Sequence, residues 1–515
     1  MARNKIDYGI DLGTTNSAIS RMEKGEPIVI KTDVLKDTMP SCISVNKKGS
    51  IKSGDSAYNT MKQDKRRATK SWHKGASNTY VEFKRTMATD TKYSCTNLNK
   101  DFTSEELSAE VLKTLKSFVT DESFGSVVIT VPAKFTVNQK TATMEAAKLA
   151  GFKHCELLQE PIAAAMAYGV TAEEKNGLWM VFDFGGGTFD AALLKVEDGI
   201  MQVFDTEGDN YLGGKNLDYA IVDNLLIPYL QKNYAVDSYL LDAEKKEVLR
   251  DAMKTYAEDA KNQLSFKDHE DIISNLGDLG EDEDGEEIEL DLTLTQAQVF
   301  DVMRPYFQKA VDICKNLVKR NNINGAQISK LILVGGPTHS PLIRRMLKEQ
   351  VTPNVDTSID PMTAVATGAA LYASTMDAEI TDNSGPITAL IIVSGIANAK
   401  PESNVTRNTP FNALTPPPII ITTKNGAIRL SKNNCTEMNV PKWLGSRLVK
   451  EANVVVGIPM EPNVVGTEFA TRHAIIDFSG SKPTATIIAA GIATAVPKPA
   501  IPSMKAPKPH ASNNA

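Results

Sequence analysis

Short apolar runs rich in β-branched residues alternate along most of the chain with longer segments whose apolar positions recur at helical spacing. Ile6–Ile10, Ser126–Val131, Leu178–Phe182 and Lys330–Val334 read as buried strands. Thr103-Ser-Glu-Glu106 is a capping box, and Leu107, Val111, Leu112, Leu115 and Phe118 behind it share one helical face. Further helices are predicted at Asn138–Ala150, Pro161–Tyr168, Leu217–Asn233, Glu244–Ser265, Gln296–Lys319 and Met362–Ser374. Pro161 and Pro361 sit where a first helical turn tolerates proline, whereas Pro305 is expected to kink its helix. This alternation predicts an α/β domain. Lys52–Lys74 is polar and basic and resists assignment, and the run from Glu281 to Asp291, with eight acidic residues in eleven, reads as a solvated loop or hairpin tip.

The pattern also repeats itself. Tyr8-Gly-Ile-Asp11-Leu-Gly13-Thr14-Thr15 leads into Ala18-Ile-Ser-Arg-Met22, and Met180-Val-Phe-Asp183-Phe-Gly185-Gly186-Gly187-Thr188 leads into Ala191-Ala-Leu-Leu-Lys-Val196. Each copy is an apolar strand, an aspartate, a Gly/Thr turn and a second strand, so a duplicated hairpin and two related lobes are expected. Glycines in such turns allow close backbone approach and leave amide N–H groups free to face an anion. Threonines add hydroxyl donors. The aspartates would repel a bare phosphate, which implies a cation or an activated water in between. A single such turn could be an ordinary tight hairpin, but two with matched Asp and Thr point to a polyphosphate held from both sides. No G-x-x-x-x-G-K-[ST] occurs, which excludes a Walker-type loop. A third glycine turn, Leu333-Val-Gly335-Gly336-Pro337-Thr338, ends another apolar strand and is expected to form the adenosine-side wall.

Composition adds a boundary. The 515 residues carry 57 Lys+Arg and 63 Asp+Glu, with 42% hydrophobic and 23% charged residues, which excludes global disorder. At about 150 residues per domain the length predicts three or four domains. Residues 1–384 are net −13, residues 385–515 are net +7, and that last quarter holds 15 of the 25 prolines, so a boundary falls near 380–390. The opening Met-Ala-Arg-Asn-Lys-Ile-Asp lacks the apolar stretch of a secretory leader, and no run approaches the length of a membrane span. Cys42, Cys95, Cys155, Cys314 and Cys435 are scattered, and the six histidines show no metal-ligand spacing. Neither a disulfide framework nor a zinc site is expected, and a reducing cytoplasmic location fits. The acidic main body argues against a nucleic-acid partner.

Ile10-Asp-Leu-Gly-Thr-Thr-Asn-Ser17, Glu160-Pro-Ile-Ala-Ala-Ala-Met-Ala-Tyr-Gly169, Asp183-Phe-Gly-Gly-Gly-Thr-Phe-Asp190 and Ile332-Leu-Val-Gly-Gly-Pro-Thr338 together resemble the ATPase domain of the seventy-kilodalton heat-shock chaperone family, within the actin/hexokinase-like superfamily. The resemblance covers about residues 5–376, and Val131-Pro-Ala-Lys-Phe135 and Tyr211-Leu-Gly-Gly214 support it. It implies ATP held between two lobes and hydrolysed to ADP with magnesium (Mg2+) and potassium (K+) bound. By the same resemblance, Asp11 and Asp183 match the aspartates holding the metal's water shell, and Asp190 a further cation-site carboxylate. Gly13, Thr14, Thr15, Asn16, Gly185, Gly186, Gly187 and Thr188 match the phosphate loops, with Gly213 and Gly214 beside them. Glu160 matches a glutamate near the metal and the attacking water. Asn78-Thr-Tyr-Val-Glu-Phe-Lys84-Arg85 resembles the segment bearing the catalytic lysine, making Lys84 its counterpart; outside that context a lysine there would be read as a solvated surface residue. Tyr256-Ala-Glu258-Asp-Ala-Lys261-Asn-Gln-Leu-Ser265 resembles the nucleoside helix. Glu258 and Lys261 would reach the ribose and Ser265 the adenine edge, or the two charges could be an exposed i,i+3 pair. Gly335, Gly336 and His339 would wall the adenine; His339 stands where the family usually has a stacking arginine, and Asn262 offers no guanidinium either.

The tail resembles the family more weakly. Arg407-Asn-Thr-Pro410, Leu444-Gly445 with Val456-Gly-Ile-Pro-Met-Glu-Pro462, and Ile475-Ile-Asp-Phe-Ser-Gly480 with Thr484–Ala489 are similar to pieces of its substrate-binding β-domain in matching order, although an unrelated β module would look alike. The family's apolar linker ending in Asp and its helical lid have no counterpart here. Lys134 replaces an aromatic and Lys140 an arginine used near the linker. The expected organisation is a two-lobed actin-like ATPase domain at 1–380, a linker at 381–386, a small β-rich substrate-binding domain at 387–494 and a disordered proline-rich end at 495–515. The function implied is an ATP-hydrolysing chaperone for unfolded polypeptides, with J-domain co-chaperones and nucleotide exchange factors as partners and no nucleic acid or membrane. Two alternatives share the superfamily fold: an actin-like scaffold or filament protein, and a sugar or acid kinase.

Overall fold

A computed structural model describes residues 7–169, 176–197 and 200–375, together with the backbone of Val454–Gly457, Arg472–Asp477 and Thr484–Ala489. The chain divides into two units, Met1–Lys424 and Asn425–Ala515.

In the first unit the strand–helix alternation builds two sheets. One runs His154–Gln159, Ser126–Val131, Tyr8–Asp11, Asn16–Glu23 and Glu26–Val29, with Met39–Pro40 pairing off the path. The other runs Val355–Asp356, Ile328–Val334, Gly177–Phe184, Phe189–Glu197 and Ile200–Asp209. Tyr8–Asp11 and Gly177–Phe184 each turn back antiparallel into the next strand, Asn16–Glu23 and Phe189–Glu197, and lie parallel to Ser126–Val131 and Ile328–Val334 respectively. The echo in the sequence is thus the visible part of a duplicated five-stranded topology. Register refines the match: Asp11 faces Ala18 and Asp183 faces Asp190, so the two turns have equal length and Asp190 occupies the place of Ala18.

Each sheet has its own core. Tyr8, Ile10, Leu107, Val111 and Phe83 pack in the first lobe, and Phe182, Phe184, Phe189 and Phe307 in the second. Phe184 is fully buried against the other three rings, so truncating it to alanine would cost about 3–5 kcal/mol. Between the sheets the helices Glu160–Tyr168 and Ala364–Ser374 cross at small residues. Contact there is so close that a Cβ on Gly368 would come within 1.7 Å of the Ala163 carbonyl oxygen.

The predicted helices form, with shifted ends. The capping box closes as expected, Thr103 Oγ1 accepting from the Glu106 amide and Glu106 Oε2 from the Thr103 amide. The helix read at 217–233 begins at Gly214 and widens into a π-type turn at Val222–Leu226, just before Pro228, which has no amide to continue the ladder. Gln296–Arg320 is a single helix with Pro305 inside it. Lys52–Lys74 contains the helix Gly54–Ala68, whose buried residues are only Gly54 and Ala57. Its charged face pairs with other elements, Lys62 with Asp259, Lys65 with Asp251 and Arg66 with Asp278, and so carries no apolar period to read. The acidic run is the connection of the hairpin His269–Ile273 and Asp291–Thr295, but Asp282 within it is buried, accepting from the amides of Ala235, Asp284 and Glu286.

Of the second unit, Arg472–Asp477 pairs antiparallel with Val454–Gly457 on one side and Thr484–Ala489 on the other. The linker at 381–386, the Arg407–Pro410 and Leu444-Gly445 segments and the end at 495–515 lie outside the described residues. No helix among the described residues is long and apolar enough to cross a membrane.

Candidate functional site

Parallel strands deliver their C-terminal ends to one place. Asp11 ends its strand, and Thr130 on the neighbouring strand donates Oγ1 to Asp11 Oδ1 at 3.1 Å. Asp183 and Asp190 face each other across the second hairpin. Glu160 opens its helix immediately after the His154–Gln159 strand, with Pro161 in the first turn. Lys84 sits in the short 3-10 turn Phe83–Thr86, and its Nζ donates to Glu160 Oε1 at 2.6 Å. At 5% exposure Lys84 is no solvated surface lysine.

The two echoed turns meet. A Cβ on Gly186 would lie 2.3 Å from Thr15 Oγ1, so only glycine lets the second turn approach the first this closely. Arg85 donates to the Gly187 carbonyl and fixes that turn from outside. The expectation of free glycine amides does not hold for Gly13, which donates to Ser17 Oγ at 3.1 Å, or Gly185, which donates to the Thr188 carbonyl at 2.9 Å.

Two adjoining cavities follow, sharing Thr14, Thr15, Asn16, Gly186 and Met362. The inner one, about 330 Å³, is lined by Asp11, Gly13, Lys84, Glu160, Asp183 and Thr188, with Gly185 and Asp190 beside them. The outer one, about 350 Å³, is lined by Gly214, Glu258, Lys261, Ser265, Gly336 and His339. Gly187, Gly213 and Gly335 do not line either cavity. Gly213 packs on Gly187, and Gly335, at φ +89°, lies against the Phe184 carbonyl, so these three shape the turns from behind.

The inner floor is strongly acidic. Burial and then the Glu160 charge push Asp11 up to about 7, against the pull of Lys84 and the Thr130 hydrogen bond. Asp190 is likewise pushed up to about 7 by burial and Glu160, with Lys134 and Lys84 opposing. Asp183 is raised well above the usual carboxylate range by burial, Glu160 and both other aspartates. Such a set asks for a cation. Among the described residues no three His, Cys, Asp or Glu side chains converge to hold a metal directly, so a cation here would share its shell with water or with an anion's oxygens.

At the outer end Glu258 and Lys261 are not an exposed pair. Burial raises Glu258, but Lys254, Lys261 and the Tyr58 hydroxyl outweigh it and bring the carboxyl down to about 2. Lys261 Nζ donates to Asp218 Oδ1 at 2.5 Å, and Lys254 Nζ lies 3.0 Å from the other Asp218 oxygen. Ser265 Oγ donates to the Lys261 carbonyl. His339 Nε2 lies 3.3 Å from Asp360 Oδ1. The motif reading missed Tyr58, Asp218, Lys254 and Phe266 in this wall. Asp218 alone carried a signal, one helical turn beyond the Gly213-Gly214 start of its helix.

A family model described as Hsp70 protein matches residues 7–394. The chaperone protein DnaK of Cyanidium caldarium is 34% identical over 388 residues, 73% of this chain and 61% of that protein. The chaperone protein DnaK of Ureaplasma urealyticum serovar 10 is 34% identical over 381 residues, 73% of this chain and 60% of that protein. The chain therefore spans about six-tenths of the length of these curated relatives.

Proposed function

Since this chain belongs to the Hsp70 family, we propose that its cleft binds ATP and hydrolyses it to ADP and phosphate, as the nucleotide-driven part of a chaperone for unfolded polypeptides. The observation that carries the reading is the pair of matched turns brought face to face, Thr15 against Gly186, over a floor of Asp11, Asp183 and the Lys84–Glu160 pair.

The donor set fits a magnesium-bound polyphosphate, because the mutual repulsion of Asp11, Asp183 and Asp190 is what a cation would relieve. Asp11 and Asp183 would hold Mg2+ through water and Asp190 would help hold K+. Bound magnesium neutralises charge on the phosphate oxygens. The hydroxyls of Thr14, Thr15 and Thr188, which line the same cavity, would donate to those oxygens. Lys84, its ammonium fixed by Glu160, presents positive charge where the γ-phosphoryl group gains negative charge. The Glu160 carboxylate accepts a hydrogen bond from the attacking water and aligns it. Little else is needed, since phosphoryl transfer depends chiefly on positioning and fixed charge. Glu258, held by the half-buried Tyr58, and Lys261, held by the buried Asp218, are the groups for the ribose.

The client-binding part would lie in 387–494, where the antiparallel strands Val454–Gly457, Arg472–Asp477 and Thr484–Ala489 supply β structure. K+, J-domain co-chaperones, nucleotide exchange factors and a cytoplasmic location belong to the same reading, supported by family membership. The scaffold or filament alternative is not favoured by that membership. The test is ATP hydrolysis by the full chain with and without an unfolded peptide. Acceleration by peptide is expected; an ATPase indifferent to peptide would remove the chaperone half of the reading.

A further inference from the structure

We propose that the inner cavity has its own mouth, rimmed by Lys134, Asn210 and Tyr211, through which orthophosphate leaves while ADP stays bound, with Lys134 as the group that receives the anion. The inference rests on the nucleotide reading above. The two cavities join at a neck of Thr14, Thr15, Asn16, Gly186 and Met362. A nucleoside diphosphate whose sugar and base lie against Glu258, Lys261 and Ser265 would run its phosphates through that neck and stopper it. Phosphate formed beyond the neck, among Lys84, Glu160 and Thr188, then has no way out past the nucleotide.

Away from the neck the inner cavity reaches the surface. Lys134, Asn210 and Tyr211 line it, do not line the outer cavity, and are all exposed, Tyr211 by 81%. They come from the two lobes. Lys134 lies between the strand Ser126–Val131 and the helix Val137–Leu149, and Asn210 and Tyr211 follow the strand Ile200–Asp209. At about 330 Å³, against about 30 Å³ for a water molecule, the cavity has room for orthophosphate and part of its hydration shell.

Charge gives this mouth its direction. Three cationic side chains line the inner cavity, and two of them are tied: Lys84 by Glu160 at 2.6 Å, Arg85 by Glu82 and the Gly187 carbonyl. Lys134, among the described residues, enters no ion pair or hydrogen bond. Its charge is felt by Asp190, whose carboxyl Lys134 and Lys84 draw down against burial and Glu160. Asp11, Asp183 and Asp190 repel a freed phosphate dianion from the floor, and Lys134, on a flexible four-carbon stem, is the cation free to follow it outward. Gln139 lines the same cavity. Its Oε1 accepts from the Thr136 amide and hydroxyl, which leaves its NH2 donors for the anion.

The test separates chemistry, phosphate exit and ADP exit in single turnovers of the full chain with Mg-ATP at low salt. Acid quench reads ATP cleavage, a fluorescent orthophosphate sensor reads phosphate in solution, and displacement of labelled ADP reads nucleotide release. Lys134→Glu should cleave ATP and release ADP within about twofold of the parent, but release phosphate about tenfold more slowly, the low end for charge at a focusing mouth. Lys134→Arg should behave as the parent, and about 1 M salt, which screens beyond about 3 Å, should close most of the gap. Phosphate release by Lys134→Glu within about twofold of the parent would overturn the exit. So would equal slowing of phosphate and ADP release, which would mean that both leave only when the lobes part. Cleavage slowed in step with phosphate release would place Lys134 in the chemistry and overturn its role at the mouth. These three results leave the nucleotide reading standing, whereas a parent that cleaves no ATP would remove that reading and the exit with it.

Discussion

Raising the pH from about 5.5 to about 8.5 without nucleotide should destabilise the protein, through the carboxylates of the inner cleft. Asp11 and Asp190 move from an ordinary 3.8 to about 7 in the folded chain. The folded state thus holds these protons more tightly than the unfolded state. The stability they contribute is complete below about pH 4 and is lost as pH rises through about 7. Three units correspond to about 4 kcal/mol per carboxylate, of which about 2 kcal/mol falls above pH 5.5. For both groups that is about 4 kcal/mol, or a melting temperature lower by about 5 °C in a chain of this size. Glu156, raised to about 7 by burial, adds a slope of the same sign. The diagnostic is therefore the difference made by Asp190→Asn, which should recover about half of the Asp11–Asp190 share. Saturating Mg-ADP should flatten the profile further. Titration at pH 7 in two buffers of different ionisation enthalpy should then show net proton release, because Asp11, Asp183 and Asp190 all bind protons more tightly than free carboxylates before the cation arrives. A melting temperature that rises with pH, together with an Asp190→Asn profile identical to the parent's, would refute this account of the cleft.

Other substitutions follow from the same contacts. Asp218→Asn leaves the Lys254 and Lys261 ammoniums without their buried partner and should cost about 3–5 kcal/mol in urea unfolding. Gly186→Val places carbon where Thr15 already stands; calorimetry should show tripolyphosphate affinity down by at least about tenfold, about 1.4 kcal/mol. Arg66→Ala removes a 2.8 Å pair with Asp278 and a stack on the Tyr256 ring, and should cost about 1–2 kcal/mol by the same unfolding assay.

Legibility in the sequence depended on whether a residue's role follows from its neighbours in the chain. The Asp11–Thr15 and Asp183–Thr188 turns are local motifs, and their duplication announced the paired sheets before any strand order was known. Strand ends and helix faces were readable because each buries a periodic apolar stripe. The Gly54–Ala68 helix was not, because its function is to present charges to Asp251, Asp259 and Asp278. Lys84 was placed by resemblance, but its 2.6 Å contact with Glu160 is a tertiary fact between residues 76 positions apart. Lys254 and Tyr58 act only as partners across the fold, and nothing in their local sequence marks them. Phe266 is one more exposed aromatic until the cavity beside it is known.

Single-turnover hydrolysis by the full chain and by Lys84→Ala, with ATP binding measured on the same samples, tests the central claim most directly. The parent should convert bound ATP to ADP and phosphate in the presence of magnesium. Lys84→Ala should still bind ATP, since the turns and the outer wall are untouched, but should hydrolyse it at least about 100-fold more slowly. Hydrolysis by Lys84→Ala at the parent rate, or a parent that binds no ATP, would contradict the account.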